Sequence, residues 1–308
     1  MFVLKGKKSL SSIEICTMKT FPFTSELGWS VSRFEIYQTC KRKYFYRYYD
    51  KYDRDFDIKQ IAKLKAMTTI PLEIGNIVHD VVETILHRLQ KSSSPVQLDK
   101  LEQFVIARSE EYVNSKVFSE IHYKELERID AQEIGQRAFQ SVKNIVTSER
   151  FEWIRHLPQS SKDRWIIEPP GFGETRIEDI KAYCKVDFML PHERVIYILD
   201  WKTGKQDLVK HRKQLIGYAL FARYHFAHDF DEIVPMVCYV KEGFEEVRPE
   251  ITNADITDFI DTMKAETLEL KSMNVDVIKN IPKAKEEFAC TENISSCRFC
   301  EFRELCQR

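Results

Sequence analysis

The stretch VIYILDWKTG places a carboxylate and an amine two residues apart, directly after an apolar run. Residues 195–199 are all apolar, which predicts a central strand buried on both faces. Because residues i and i+2 of a strand lie on the same face, Asp200 and Lys202 would project together from the end of this strand. An isolated D-x-K pattern also fits a strand end that reaches solvent, so the neighbouring stretches must decide between the two interpretations.

The stretch YCKVDFML predicts a second strand, and it carries Asp187 within an apolar run. A buried carboxylate is costly unless it is paired or binds a cation. Antiparallel pairing of the two strands would bring Asp187 beside Asp200, and a divalent cation would relieve their repulsion. Lys202 would then place positive charge near an attacking water or a phosphorane. Together these residues predict metal-assisted hydrolysis of a phosphodiester.

Three cysteines near the C-terminal end, Cys297, Cys300 and Cys306, are spaced C-x2-C-x5-C. Thiolate-bound metal centres usually have four ligands, so this spacing predicts a metal site that lacks one ligand. Cys290 is one candidate, because CTENISSC forms a C-x6-C pattern that a loop could close. A local site of these four cysteines would suit zinc.

Composition places the 308-residue chain among soluble globular proteins, with 43% hydrophobic and 31% charged residues. The net charge of −1 gives no argument for a nucleic-acid partner, although local basic clusters can still contact phosphates. No apolar run reaches membrane-spanning length and the start does not resemble a secretory signal, so we expect a cytoplasmic protein. Cysteines there are metal ligands or packing thiols, and we assign Cys16, Cys184 and Cys238 to packing.

Hydrophobic periodicity and turn residues predict the order of the elements. They predict helices at 30–52 and 75–90, two or three helices within 98–156, strands in DRWIIEPPG, IKAYCKVDFML and RVIYILDWKTG, a helix at 212–226, two strands around Gly243 within 235–251, and a helix at 253–273. This order predicts one α/β domain over 1–308, with a helical insertion at about 92–160 and a catalytic core at about 161–250.

The pattern Asp187…Asp200-x-Lys202 resembles the PD-(D/E)xK nuclease superfamily, and LDWKTG is similar to the D-Y-K-T-G of its RecB-like branch. GNIVHDVVE resembles the G-x-x-x-H helix of that branch, which would make His79 a metal ligand. QLIGYALFA resembles its Q-x-x-x-Y helix, with Gln214 and Tyr218 one turn apart on one face. The implied fold is restriction-endonuclease-like, with a mixed central sheet flanked by helices.

The resemblance implies roles for the site residues. His79, Asp187 and Asp200 would bind Mg²⁺ or Mn²⁺, with the backbone carbonyl of Trp201 as a further ligand. Lys202 would orient and activate the attacking water, while Gln214 and Tyr218 would position DNA and the lysine. Glu168, in IIEPPG, would lie near the metal or stabilise Lys202.

SVSRFEIYQTCKRKYFY resembles the S-x-S…Y-x-x-C opening of the iron–sulfur members, which include AddB and the CRISPR-associated adaptation exonucleases. In those members one cysteine comes from the first helix and three from a C-terminal C-x2-C-x5-C. The implied ligands of a [4Fe–4S] cluster are therefore Cys40, Cys297, Cys300 and Cys306, in the segment 290–308 plus Cys40. Such a cluster would cross-link the two ends of the domain as a staple.

The implied function is metal-dependent DNA cleavage, as an exonuclease on single-stranded DNA or DNA ends in repair, recombination or CRISPR-type defence. The alternative is a non-catalytic iron–sulfur module that holds DNA in a larger complex. No G-x-x-x-x-G-K-[ST] pattern occurs, so unwinding would require a partner such as a helicase. Two basic clusters could contact DNA: Lys41, Arg42, Lys43 and Arg47 beside the aromatic run 44–46, and Lys205, Lys210, Arg212 and Lys213.

Overall fold

The structure is a computed structural model that describes residues 18–169, 173–226 and 230–308. Its α-helices are α1 (Val31–Thr39), α2 (Lys41–Tyr48), α3 (Ile58–Lys65), α4 (Ile70–Lys91), α5 (Leu98–Ser115), α6 (Ser119–His122), α7 (Ala131–Val146), α8 (Glu149–His156), α9 (Gln159–Lys162), α10 (Leu208–Phe226), α11 (Asn253–Ser272) and α12 (Ile294–Cys297). Its strands are β1 (Ile166–Ile167), β2 (Glu174–Ile177), β3 (Ile180–Tyr183), β4 (Phe188–His192), β5 (Val195–Lys202), β6 (Glu232–Tyr239), β7 (Glu245–Val247), β8 (Asn274–Asp276) and β9 (Ile281–Pro282).

A mixed five-stranded sheet in the order β1-β4-β5-β6-β7 forms the centre of the fold. Three of its strand pairs are antiparallel, and only β5 and β6 run parallel. Parallel neighbours need a crossover connection, and α10 lies in the chain between them. The predicted α/β class with a mixed central sheet is therefore confirmed.

Strand β5 is buried on both faces because its side chains alternate between two hydrophobic cores. Ile196 and Ile198 point into a core built with α1, α2, α10 and α11. Leu199 and Trp201 point into a second core built with α4, α5, α7 and α8. This alternation follows from the period of two along a strand, and it sends Asp200 and Lys202 to the face covered by α10.

The predicted single helix over 30–52 is wrong, because the chain breaks at Cys40. Ser30 caps the start of α1, where its Oγ accepts a hydrogen bond from the N–H of Arg33 at 3.1 Å. Cys40 then adopts extended backbone angles and begins α2 as its cap, with Sγ accepting from the N–H of Lys43 at 3.5 Å. The break places Cys40 between the two helices, as the cap of both.

IKAYCKVDFML, predicted as one strand, forms two. Strand β3 ends at Tyr183 and β4 begins at Phe188, so Asp187 lies in the bend between them. Strand β3 pairs with β2 in a separate hairpin rather than with the central sheet. The short strands β2, β8 and β9 were not predicted, because strands of two to four residues carry little hydrophobic periodicity.

The helical region within 98–156 contains α5, α6, α7 and α8, one short helix more than predicted. Its α6 end contacts the C-terminal segment: His122 Nε2 lies 2.7 Å from Glu304 Oε2, and the Tyr123 hydroxyl donates to the Glu301 carbonyl at 2.8 Å. The guanidinium of Arg303 lies 3.6 Å from the centroid of the Tyr123 ring. This helical region therefore helps to hold the end of the chain.

Buried aromatic side chains fix the C-terminal segment against α2. The ring of Phe302 lies 5.4 Å from that of Tyr46, and Phe288 lies 5.1 Å from Phe45. Tyr44, Phe45 and Tyr46 are all buried, so the idea that they stack on nucleic-acid bases is wrong. Basic residues of the same helix pair inward as well: Lys43 and Arg47 bind Glu301 at 2.7 and 3.1 Å.

Across the described ranges, no helix has the length and apolar character needed to cross a membrane.

Phe302→Ala should lower the free energy of unfolding by about 3–5 kcal/mol, because this side chain is 0% exposed and packs on α2. The matched control is Phe299→Ala, three positions earlier and 78% exposed, which should change it by less than about 0.5 kcal/mol. Urea titration of both variants measures the difference. Equal effects would contradict the packing described for this segment.

Candidate active site

Two carboxylates meet where β4 begins and β5 ends. The antiparallel register pairs Phe188 with Leu199, so the next positions outward are Asp187 and Asp200. Asp187 is fixed by the end of β5, because its Oδ2 accepts a hydrogen bond from the N–H of Trp201 at 2.8 Å. The bend before β4 thus carries the first carboxylate, which strand pairing brings beside the second.

Helix α4 brings His79 to the same place. Its apolar stripe packs into the second core, and the imidazole Nδ1 lies 3.2 Å from Oδ1 of Asp187. Close approach of the helix to the end of β5 occurs at Gly75, where a built Cβ would lie 3.3 Å from Oγ1 of Thr203. A Cβ at this position would require the Thr203 side chain to shift by a few tenths of an ångström.

Lys202 and Tyr218 hold the second carboxylate. Asp200 is 2% exposed; Lys202 Nζ lies 2.6 Å from its Oδ2 and the Tyr218 hydroxyl 3.0 Å from its Oδ1. The same hydroxyl lies 2.9 Å from the carbonyl of Lys185, and Gln214 Nε2 donates to it at 2.6 Å. Gln214 and Tyr218 of α10 are therefore connected to Lys202 through the carboxylate of Asp200.

Burial and mutual charge shape the protonation of the site. Burial, followed by the charge of Asp187, raises the pKa of Asp200 to about 6. Burial also acts to raise the pKa of Asp187, but His79 and Lys202 outweigh it and the pKa is lowered. Burial acts to lower the pKa of His79, and the charge of Asp187 reverses this, so that pKa is raised. Two carboxylates with divergent pKa values and one imidazole are thus held in contact.

Glu168 pairs with Lys185 at 3.0 Å, while Lys202 pairs with Asp200. The expectation that Glu168 stabilises Lys202 is therefore wrong. Its backbone still belongs to the site, because the Glu168 N–H donates to the carbonyl of Asp187 at 3.0 Å. Glu168 has a φ of 40°, an uncommon conformation for a residue other than glycine, and it marks the end of β1.

A family model of the PD-(D/E)XK nuclease superfamily matches residues 28–307, nearly the whole length of the chain. The chain belongs to the PD-(D/E)XK nuclease superfamily. Its members are generally nucleases, and they typically use divalent metals such as Mg²⁺. No curated protein matches the chain.

In this PD-(D/E)XK chain the donors at the site are two carboxylates and one imidazole, which suit Mg²⁺ or Mn²⁺. In the described part of the chain, however, no group of three or more His, Cys, Asp or Glu side chains is arranged so that it could hold a metal ion. Asp187 and Asp200 use oxygens in contacts with His79 and Lys202. Ligation here requires those contacts to rearrange.

A cavity of about 800 Å³ opens beside the site and reaches it through Lys202, Gln214 and Tyr218. His211 also lines this cavity and was missed by sequence analysis. Its Nδ1 lies 2.7 Å from the hydroxyl of Tyr239. His211 is three residues before Gln214 and seven before Tyr218, a helical spacing that places all three on one face of α10 and could have revealed it.

Five cysteines line a second, small cavity of about 20 Å³: Cys40, Cys290, Cys297, Cys300 and Cys306. Both candidates for the fourth ligand are therefore at the same place, and Cys290 Sγ lies 3.9 Å from Cys306 Sγ. Their thiols have the donor chemistry that zinc or an iron–sulfur cluster requires, but they too would have to rearrange to ligate one. Burial raises the pKa of Cys300 to about 11 and, together with Cys290, that of Cys306 to about 12.

The predictions for the packing cysteines and for the second basic cluster have different outcomes. Cys184 and Cys238 are buried thiols, as predicted, whereas Cys16 lies outside the described residues. In the second basic cluster, three side chains pair with acids: Lys210 with Glu35, Arg212 with Asp255 and Lys213 with Glu266. These ion pairs reduce the positive charge that the cluster can offer to a phosphate backbone.

Tyr218→Phe should lower the free energy of unfolding by about 1–2 kcal/mol, because it leaves a buried oxygen of Asp200 with one donor fewer. Tyr197→Phe is the matched control on β5, since its hydroxyl makes no hydrogen bond within the described residues. It should change the free energy of unfolding by less than about 0.5 kcal/mol. Urea unfolding of both variants gives the comparison, and a neutral Tyr218→Phe would remove the basis for this contact.

Proposed function

We propose that the protein is a metal-dependent DNA nuclease that acts as an exonuclease on single-stranded DNA or DNA ends. The observation that carries the proposal is the contact of Lys202 with the buried Asp200, beside the His79–Asp187 pair. Acid, amine and imidazole from three separate elements converge at the end of one strand. The superfamily match supports cleavage of nucleic acid as the reaction.

We assign to Lys202 the role of orienting and activating the attacking water. Its ammonium would hold the water and offset negative charge as it develops on the phosphorus oxygens. Asp200 keeps that ammonium at the site through a contact of 2.6 Å. Tyr218 and Gln214 restrict Asp200 in turn, so the position of Lys202 is fixed from α10 as well as from β5.

His79, Asp187, Asp200 and the backbone carbonyl of Trp201 are the groups that would hold Mg²⁺ or Mn²⁺. When bound, such a cation supplies a Lewis acid and lowers the pKa of a coordinated water. Before such a cation binds, His79 contacts Asp187 and Lys202 contacts Asp200, and these partners would release the carboxylates. The hydrogen bond from the N–H of Trp201 to Oδ2 would keep the Asp187 side chain oriented toward such a cation.

The cavity beside Lys202 supports a nucleic-acid strand as substrate. Lys185 and Lys210 line it together with Lys202, and each would contact a phosphate by exchanging its present carboxylate partner. We assign the activity to DNA processing in repair, recombination or CRISPR-type defence, with duplex unwinding left to a partner such as a helicase. A non-catalytic DNA-holding module is the alternative function that the cleavage assay below distinguishes.

We further propose that Cys40, Cys297, Cys300 and Cys306 hold a [4Fe–4S] cluster. All four line the same small cavity, and Cys40 reaches it because the chain breaks between α1 and α2. The cluster would link residue 40 to residue 306 and so stabilise the closed domain. The 3.9 Å approach of Cys290 to Cys306 favours a second candidate, a local zinc site of Cys290, Cys297, Cys300 and Cys306.

Lys202→Ala should cleave DNA about a hundredfold to a thousandfold more slowly, because it removes the charge assigned to the transition state, and circular dichroism checks that the variant is folded. The assay uses end-labelled single- and double-stranded DNA with Mg²⁺ or Mn²⁺, and EDTA should abolish cleavage. Lys264→Ala, an exposed lysine of α11, is the matched control and should cleave like the wild type. Undiminished cutting by Lys202→Ala would reject the assigned role, and a folded but inactive wild type would favour the DNA-holding module.

Cys40→Ser should lose bound iron and acid-labile sulfide, whereas Cys290→Ser should keep both, because only the first removes an assigned cluster ligand. Anaerobically purified proteins are analysed for iron, sulfide and zinc. A colourless wild type that contains zinc, and loses it in Cys290→Ser but not in Cys40→Ser, would instead establish the local zinc site.

A further inference from the structure

The small cavity contains one cysteine more than a four-ligand centre uses. If Cys40, Cys297, Cys300 and Cys306 are the ligands, Cys290 is the extra thiol, and its Sγ lies 3.9 Å from Cys306 Sγ. We propose that Cys290 and Cys306 are a site of reversible oxidation, which forms a disulfide in place of metal ligation by Cys306. The effect of this oxidation on the cluster rests on the proposed function. The pairing of Cys290 with Cys306 rests only on the positions of their thiols.

The two thiols need only a small movement to bond. A disulfide bond is about 2.05 Å long, so the sulfurs must approach each other by about 2 Å. Cys306 ends the final helical turn, Arg303–Cys306, and the following residue, Gln307, has a left-handed backbone with φ of 54°. Cys290 belongs to a segment without regular structure, between Phe288 and α12. Both side chains are only half-buried, and the approach requires them to rotate toward each other.

Packing holds the pair together independently of the sulfur ligands. Phe288 and Phe302 are both 0% exposed; Phe288 lies two residues before Cys290, and Phe302 lies four residues before Cys306. Glu301 adds ion pairs to Lys43 and Arg47. Because these contacts use no cysteine, Cys290 and Cys306 should remain neighbours when the cavity holds no cluster.

The oxidant in the proposed step is a low-molecular-weight disulfide, RSSR. The thiolate of Cys290 attacks one sulfur of RSSR and RS⁻ leaves, which gives a mixed disulfide. Cys306 then attacks the Cys290 sulfur, loses its thiol proton in that step, and the second RS⁻ leaves. Two cysteine thiols are oxidised, RSSR is reduced to two RSH, and the two thiol protons go to the two leaving thiolates.

The consequence is a protected form of the protein. With Cys306 in the disulfide, only Cys40, Cys297 and Cys300 remain of the assigned cluster ligands. The new bond closes a loop between positions sixteen apart, which restricts the unfolded chain and keeps the C-terminal segment docked. Reduction would release Cys306 for ligation again. The site would thus keep the domain folded through loss of the cluster under oxidising conditions.

The test uses the full chain after removal of metal by a chelator, treated with oxidised glutathione. Free thiols are then alkylated, and peptides are mapped by mass spectrometry. We expect loss of alkylation at Cys290 and Cys306 together, one cross-linked peptide that joins them, and full recovery after reduction. Cys297→Ser, which removes another cysteine of the same cavity, should keep the cross-link and serves as the control.

A second measurement compares thermal unfolding midpoints of the oxidised, metal-free proteins. The oxidised wild type should unfold at a higher temperature than oxidised Cys290→Ser. Treatment of both proteins with a thiol reductant should abolish that difference. Cross-links that join Cys290 or Cys306 mainly to other cysteines, or glutathione adducts alone, would overturn the proposal. The iron content of the untreated protein tests the proposed cluster separately. A wrong cluster assignment can therefore be distinguished from a wrong assignment of the Cys290–Cys306 disulfide.

Discussion

Burial of two adjacent carboxylates at the end of β5 is the constraint on which the other features of the site depend. Each carboxylate loses hydration and repels the other, so each needs compensating contacts. Asp187 obtains them from His79 and from the N–H of Trp201, and Asp200 from Lys202 and Tyr218. These contacts require β4 antiparallel to β5, α4 on one side and α10 on the other, which is the arrangement of the central sheet and its helices.

Closure of the chain on itself is the second organising feature. The C-terminal segment packs on α2 through Phe302. It also contacts the helical region, because Arg303 stacks on the Tyr123 ring. Glu304 adds a contact to His122. This double anchoring places the last cysteines beside Cys40, so the cysteine-lined cavity is a product of aromatic packing and ion pairing in elements far apart in sequence.

The carboxylate site and the cysteine-lined cavity differ in the kind of backbone that supports them. The carboxylate site is built on regular elements, and its oxygens are already engaged in hydrogen bonds and ion pairs. The cysteine site is built on a helix break and an irregular segment, and its five thiols are not held by regular elements. Rigid support suits positioning of a phosphodiester, while the looser support suits exchange between ligation and oxidation.

The sequence by itself determined the elements whose patterns are long and periodic. Strand β5 followed from its apolar run, α4 and α10 from their helical periodicity, and the shared face of Asp200 and Lys202 from the period of a strand. Only the tertiary structure decided the break at Cys40, the pairing of Glu168 with Lys185, the burial of Tyr46 and the meeting of Cys290 with Cys306. Local patterns report which face of an element is buried, but partners distant in sequence are chosen by packing, and no local pattern encodes that choice.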